Sequence, residues 1–113
     1  MQLQTQTRPK VISVTVLEDR IDAATAIQFK EKMRDVTQTG TQRVVLDLAR
    51  VQFLDSSGLS AIVAVKKLLG PDRVLELSGL TPTVEKVFRL TRMDSIFTIH
   101  PSLEAAVSHA ASA

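Results

Sequence analysis

The chain has 113 residues, 44% of them hydrophobic, which is enough for one compact domain over residues 1–113 and too few for two ordinary domains. It contains no cysteine, so disulfides, thiol catalysis and cysteine-based metal sites are excluded. The formal charge is a mild +2, and Trp and Tyr are absent, so we expect scattered surface charges and no direct binding of nucleic acid.

The first part of the chain predicts two strands followed by a helix. Residues 3–6 alternate weakly and indicate a short edge strand. Residues 11–16 are mostly β-branched and apolar at every second position, which predicts a half-buried strand. Asp22 is a candidate N-cap for a helix that extends to about Gln38, and Gly40 is expected to end it.

The rest of the chain continues the alternation of strand and helix patterns. The predicted elements are a strand over 44–48, a helix from Ser56 to Leu69, a strand over 74–77, a helix beginning at Pro82 behind a Thr81 cap, a strand over 96–99 and a final helix capped by Ser102. Strands that alternate with helices in this way predict an α/β layered domain.

No segment is predicted to cross a membrane. The longest mostly apolar run, Leu59 to Leu69, is interrupted by Ser60, Lys66 and Lys67, and it is shorter than the ~18 residues that a membrane helix needs. The N-terminus lacks a basic region followed by an apolar block, so we expect no signal peptide. A cytoplasmic location is therefore expected.

The strand-to-helix junction within residues 51–63 contains the candidate site. Asp55 is the predicted N-cap, with its carboxylate accepting from the Gly58 amide, so Ser56 and Ser57 become the first two helical residues. Amides at a helix start have no intrahelical partner, and the aligned peptide dipoles leave that end partly positive. An anion is favoured there, so a serine at this position is suited to carry a phosphate.

A projection of this helix at about 100° per residue separates a core face from an outward stripe. The stripe consists of Ser56, Ser60, Val63 and Lys67. Ser57 is expected to project inward as a structural hydroxyl, and Gly58 is expected to leave room for an approaching partner. Ser56 is thus the predicted modifiable serine, although the same Asp-Ser-Ser-Gly pattern is also good capping chemistry by itself.

Four separated segments resemble, in order and approximate spacing, the STAS domains of the anti-sigma-factor antagonist family. They are residues 21–26, residues 44–48 leading through 53–59, residues 80–88 and residues 96–106, which together cover almost the whole chain. The FLDSSGL sequence at 53–59 is the most specific of them. The resemblance implies a single STAS domain with a mixed four- to five-stranded sheet packed by about four helices.

The resemblance also implies a function. In that family, an anti-sigma factor with ATP-dependent serine kinase activity phosphorylates the serine that follows the aspartate, and the unphosphorylated antagonist binds this kinase to free a sigma factor. Transferred to this sequence, the phosphorylation site is Ser56, and a PP2C-type serine phosphatase is a further candidate partner. Asp22 matches a family aspartate near the phosphorylation site, so it is either part of the kinase surface or simply a helix cap. The predicted partner-binding residues are Asp22, Asp55, Ser56, Ser57, Gly58, Ser60, Val63 and Lys67.

Two other functions compete with this interpretation. The chain has no glycine-rich phosphate loop, no nucleophile elbow and no cluster with metal-ligand spacing, so we predict no catalytic residues, cofactor or metal. His100 and His109 are its only imidazoles and are expected to face solvent, which makes a Ser56–His–Asp hydrolase the weaker rival. The stronger rival is a STAS-fold accessory subunit that docks on a transporter or lipid-transport complex.

Overall fold

Strands and helices alternate along the part of the chain that the computed structural model describes, which is residues 1–38 and 42–112, with side chains to residue 108. The strands are β1 (Leu3–Thr7), β2 (Val11–Val16), β3 (Arg20–Ile21), β4 (Arg43–Asp47), β5 (Phe53–Leu54), β6 (Val74–Ser78) and β7 (Ile99–His100). The helices are α1 (Ala26–Val36), α2 (Ser56–Leu69), α3 (Pro82–Leu90) and α4 (Leu103–Ser112). None of these helices is long and apolar enough to cross a bilayer. The predicted α/β class is confirmed.

The main sheet has five strands in the order β1-β2-β4-β6-β7. The β1 strand pairs antiparallel with β2, whereas the other neighbours are parallel, so the sheet is mixed as expected. A separate parallel pair, β3 and β5, aligns Arg20 with Phe53 and Ile21 with Leu54. Because β3 leads into α1 and β5 leads into α2, this small sheet brings the first turns of the two helices side by side.

The sheet is covered on both faces. One face packs against the apolar sides of α1, α2 and α3 in a core that includes Phe29, Met33, Ile62, Val65, Phe88, Val14, Leu46 and Leu77. On the opposite face, Ala106 of α4 packs with Val11 and Val45. The prediction that residues 11–16 form a half-buried strand is therefore wrong, because α4 covers the second side of β2 as well.

The start of α1 differs from the prediction by three residues, because the N-cap is Thr25 and not Asp22. Residues 22–25 form a turn instead, in which the Asp22 carbonyl oxygen accepts hydrogen bonds from the amides of Thr25 (3.0 Å) and Ala26 (2.8 Å). The helix begins only after this turn, at Ala26. The helix ends at Val36 with Thr37 as its C-cap, two residues before the predicted end near Gln38, and Gly40 itself lies outside the described residues.

The last strand also differs from its prediction over 96–99. A short 3₁₀ helix occupies Met93–Ser95, and only Ile99 and His100 pair with β6. Phe97 is buried instead with its ring edge-on to Phe88, at a centroid distance of 5.9 Å. An apolar run that looks like a strand is therefore divided between a core anchor and a two-residue pairing.

The remaining helix ends agree with the sequence. Gly70 ends α2 with a φ of 78°, and Pro82 is the first residue of α3. Thr81 occupies the predicted cap position, but its hydroxyl donates to the Val51 carbonyl oxygen (2.8 Å) and so ties α3 to the strand-to-helix junction. The Ser102 hydroxyl accepts from the Ala105 amide (3.1 Å) at the start of α4, as expected of a cap.

Candidate functional site

Asp55 connects the loop before α1 to the first turn of α2. Its Oδ1 atom accepts from the Gly58 amide at 2.9 Å, which is the predicted N-cap hydrogen bond. Its Oδ2 atom accepts from the Ala23 amide at 3.2 Å. Because both carboxylate oxygens bind backbone amides, Asp55 fixes the position of two segments that border the candidate phosphorylation site.

Ser56 is the first residue of α2, and its side chain is exposed, whereas Ser57 is half-buried. The first hydrogen bond of the helical ladder joins the Leu59 amide to the Asp55 carbonyl oxygen at 2.9 Å. The amides of Ser56 and Ser57 therefore precede the ladder and have no partner within the helix. The exposed hydroxyl stands at the end of the helix where negative charge is favoured.

The outward stripe predicted along α2 agrees with the observed exposure of its side chains. Ser60 and Lys67 are exposed, and Val63 is half-buried. Val63 lines a depression of about 430 Å³ together with Met93 and Ile96 at the 3₁₀ helix. The stripe is therefore accessible and borders this depression along one side.

Gly58 is buried and faces the small β3–β5 sheet. A Cβ atom on Gly58 would lie 2.1 Å from the carbonyl oxygen of Ile21 and 2.7 Å from Leu54 Cδ1. The expectation that Gly58 leaves room for a partner is therefore wrong. The absent side chain instead allows the first turn of α2 to approach the backbone of β3.

Asp22 is half-buried and stabilises its own loop. Its Oδ1 atom accepts from the Ala24 amide (3.1 Å) and from the Thr25 hydroxyl (3.2 Å). Its Oδ2 atom lies 3.4 Å from a guanidinium nitrogen of Arg20. These bonds favour a structural role for Asp22, but the residue caps the turn that precedes α1 and not the helix itself.

A depression of about 370 Å³ separates the first turns of α1 and α2. Its lining includes Ser56, Ser57 and Ser60 from α2, and Ile27 and Lys30 from α1. Ser57 therefore lines the same surface depression as Ser56, so its expected inward projection is only partial. The sequence interpretation missed Ile27 and Lys30, although their three-residue spacing already places them on one side of a helix.

His100 lies across the main sheet from α2. It pairs with Glu76 at 2.5 Å, and Arg43 donates two hydrogen bonds to the same carboxylate, at 2.5 and 2.6 Å. Burial opposes the ionisation of Glu76, but the bonds with Arg43 and His100 outweigh it and hold the pKa of this carboxyl below its ordinary value. The hydrogen bond to Glu76 likewise raises the pKa of Arg43.

This placement contradicts the expected exposure of His100, whose side chain is only 13% exposed. It also removes His100 as a general base for Ser56, because the sheet lies between them. The side chain of His109 lies outside the described part. Within that part, no group of three or more His, Asp or Glu side chains is arranged to hold a metal ion.

Comparison with known proteins places this geometry in a family. The profile of the STAS domain matches residues 2–106. BtrV of Bordetella bronchiseptica, which is proposed to be an anti-sigma factor antagonist, is 33% identical over 96 residues, covering 84% of this chain and 83% of BtrV. The anti-sigma-B factor antagonist of Staphylococcus aureus is 25% identical over 105 residues, covering 92% of this chain and 96% of that protein.

A solved structure agrees with these sequence matches. The crystal structure of an anti-sigma factor antagonist from Mycobacterium paratuberculosis superposes with a TM-score of 0.85 at 26% identity. The superposition covers 96% of this chain and 92% of that one, so the whole arrangement of sheet and helices is shared. The profile, the relatives and the fold agree with the four segments recognised in the sequence, and the chain belongs to the STAS domain family.

Proposed function

We propose that this chain is an anti-sigma-factor antagonist controlled by phosphorylation of Ser56. In its unphosphorylated form it binds an anti-sigma factor that is an ATP-dependent serine kinase, and the bound anti-sigma factor releases a sigma factor. The observation that carries the proposal is the exposed Ser56 hydroxyl on the first turn of a capped helix, in a chain whose relatives include anti-sigma factor antagonists. The chain acts as a binding partner in the cytoplasm and performs no catalysis.

The residues of the proposed contact surface have two roles: some hold the loops beside the helix start in position, and others contact the kinase directly. Asp55 and Asp22 hold the two loops beside the helix start through hydrogen bonds to backbone amides. The residues proposed to contact the kinase directly are Ser56, Ser57, Ser60, Val63 and Lys67, all of them exposed or half-buried. Gly58 contributes by letting α2 lie close to β3.

The covalent step belongs to the partner. The kinase transfers the γ-phosphoryl group of ATP to Ser56 Oγ, so a new P–O bond forms, ADP leaves and the hydroxyl proton passes to the kinase. A PP2C-type serine phosphatase reverses the modification by hydrolysis, which releases inorganic phosphate and restores the hydroxyl. The antagonist thus supplies only an accessible acceptor and a docking surface.

Phosphorylation should weaken binding through electrostatics and desolvation. A phosphoserine adds about 1.5 to 2 negative charges to a surface that loses water when the kinase docks. Leaving such a charge buried and unpaired costs several kcal/mol, and each 1.4 kcal/mol is a tenfold loss of affinity. We therefore expect affinity for the anti-sigma factor to fall by at least ~100-fold.

Three single substitutions test this proposal against the anti-sigma serine kinase encoded in the same genome. Ser56→Ala should keep the parent affinity and take up no phosphate, whereas Ser56→Asp should bind at least ~100-fold more weakly. Ser57→Ala is the matched control, because it removes the neighbouring hydroxyl and should still be phosphorylated. Calorimetry measures the affinities, and phosphopeptide mass spectrometry identifies the modified serine.

Two results would contradict the proposal. Phosphate on Ser57 in the wild-type chain would show that the modified residue has been assigned incorrectly. Absence of phosphate with every serine kinase of the genome, together with stable binding to a transporter ATPase, would support the accessory-subunit function instead.

A further inference from the structure

Two adjoining depressions follow the contact between α1 and α2 on the protein surface. The depression of about 370 Å³ beside Ser56 is followed by a second one of about 530 Å³ that is lined by later residues of both helices. Ile27 and Lys30 line both depressions, so the two adjoin at these side chains. The α1–α2 groove, defined by these two depressions, therefore extends from Ser56 to Leu68.

The groove exposes large aliphatic side chains. Ile27 of α1 is 65% exposed, and Leu68 of α2 is 48% exposed. Both side chains line the second depression. Together they offer apolar area that a bound segment could remove from water.

The charges of the groove are predominantly positive. Lys30, Arg34 and Lys67 line the second depression together with a single acidic residue, Glu31. Within the described part of the chain, none of these four side chains forms an ion pair. Three cations without a protein counter-ion favour an occupant that carries carboxylates.

We propose that the α1–α2 groove binds an acidic amphipathic helix of a partner protein. That this partner is the anti-sigma factor rests on the proposed function. Aliphatic side chains of the bound helix cover Ile27 and Leu68, and its carboxylates pair with Lys30, Arg34 and Lys67. Grooves between two helices commonly receive amphipathic helices in this way. The 14 residues of α2 span about 21 Å, which matches a bound helix of about four turns.

The groove also explains how one phosphate could affect a large contact. Ser56 lines the same depression as Lys30, and Lys30 also lines the second depression. A phosphate of about −1.5 to −2 charge on Ser56 would largely cancel the positive charge of the groove. It would thereby oppose an acidic occupant along the groove as well as at the phosphorylation site.

Titration of the full isotope-labelled chain with two synthetic peptides tests the groove by NMR. The peptides are helical, about 14 residues long, with the same leucine positions and with either Glu or Lys at the polar positions. The Glu peptide should shift the amides of residues 27–34 and 64–68, and this binding should weaken at high salt. The Lys peptide should shift none of them.

Matched substitutions assign the contacts. Arg34→Glu should weaken binding of the Glu peptide about tenfold, and Leu68→Ala about fivefold. The controls are Lys86→Glu and Leu90→Ala, which alter exposed residues of α3 that line neither depression, and they should leave the affinity within about twofold. Thermal melts of all four variants establish that each is folded.

Several outcomes would overturn the groove proposal. These are a Glu peptide that causes no shifts, equal binding of the Lys peptide, or shifts centred on Met93 and Ile96 instead. Amide shifts in the groove that depend on protein concentration without peptide would indicate that a second copy of the chain binds there. The phosphorylation assay is independent, because phosphate on Ser56 supports the proposed function even if both peptides fail to bind.

Discussion

At the scale of single residues, the position of α2 depends on the absence of a side chain at residue 58. We expect Gly58→Ala to lower the free energy of unfolding by at least about 2 kcal/mol, although alanine favours helix by about 1 kcal/mol. The reason is the 2.1 Å approach of the added Cβ to the Ile21 carbonyl oxygen, a backbone atom that cannot rotate away. Urea unfolding measures the change.

Ser60→Ala is the control for this substitution. It lies on the same helix with an exposed side chain, so its stability should remain within about 0.5 kcal/mol of the parent. If Gly58→Ala were as stable as Ser60→Ala, the first turn of α2 would have to be free to move away from β3. Positioning of Ser56 by close packing would then be excluded.

Residue roles set by neighbours in sequence were predictable, and roles set by distant contacts were not. The bond from the Gly58 amide to Asp55 follows from capping preferences three residues apart. The bond from the Ala23 amide to the same carboxylate joins residues 32 positions apart, so no local pattern contains it. The burial of Gly58 likewise depends on the contact of α2 with β3, which is distant in sequence and so is not contained in the local pattern.

At the scale of elements, an ion pair joins β4 to β6, and a hydrogen bond from its arginine extends the connection to α4. Glu76 is 6% exposed and binds Arg43, which also donates to the Ala106 carbonyl oxygen of α4 at 3.4 Å. We expect Glu76→Gln to lower the free energy of unfolding at neutral pH by about 2 to 4 kcal/mol, because it leaves the Arg43 guanidinium largely buried without a counter-ion. Urea unfolding measures this loss.

The surface pair of α3 provides the control for Glu76. Glu85 and Arg89 are 60% and 61% exposed, so Glu85→Gln should cost less than about 0.5 kcal/mol.

The pKa of Glu76 is lowered in the folded state, so its stabilisation is present above the unfolded pKa and lost as pH falls through the folded pKa. The wild type and Glu76→Gln should therefore converge in stability below the ordinary value of 4.5. A difference that persisted unchanged to about pH 3 would contradict this account.

Long elements with strong periodicity were predicted well, and very short ones were not. The 14 residues of α2 begin and end where capping chemistry indicates. The β3–β5 pair has two residues in each strand, too few for any period-two pattern to register. The predicted start of β7 is wrong because Phe97 is an apolar residue that packs against Phe88 in the core. A strand pattern cannot distinguish such a residue from one that pairs in a sheet.

At the scale of the whole molecule, the β3–β5 sheet positions the elements that form the proposed binding surface. It sets the first turns of α1 and α2 beside each other, so Ser56, the proposed phosphorylation site, and the cationic groove share one side of the protein. The molecule measures 33 × 26 × 25 Å, and a groove of about 21 Å along α2 crosses most of that side. The polar cluster of Glu76, Arg43 and His100 lies on the opposite face, where it stabilises the scaffold.

The separation of surface and scaffold predicts that phosphorylation of Ser56 changes binding without changing the fold. The phosphate lies beside free helix amides, which favour negative charge by a few tenths to about 1 kcal/mol, and repulsion from Asp55 opposes this gain by a similar amount. The melting temperature should therefore change by less than about 5 °C in either direction. Calorimetry of the phosphorylated and unphosphorylated chains measures it, with Ser57→Ala treated identically as the control. Loss of the cooperative transition after phosphorylation would show that the switch operates by unfolding, and the rigid-surface mechanism would have to be abandoned.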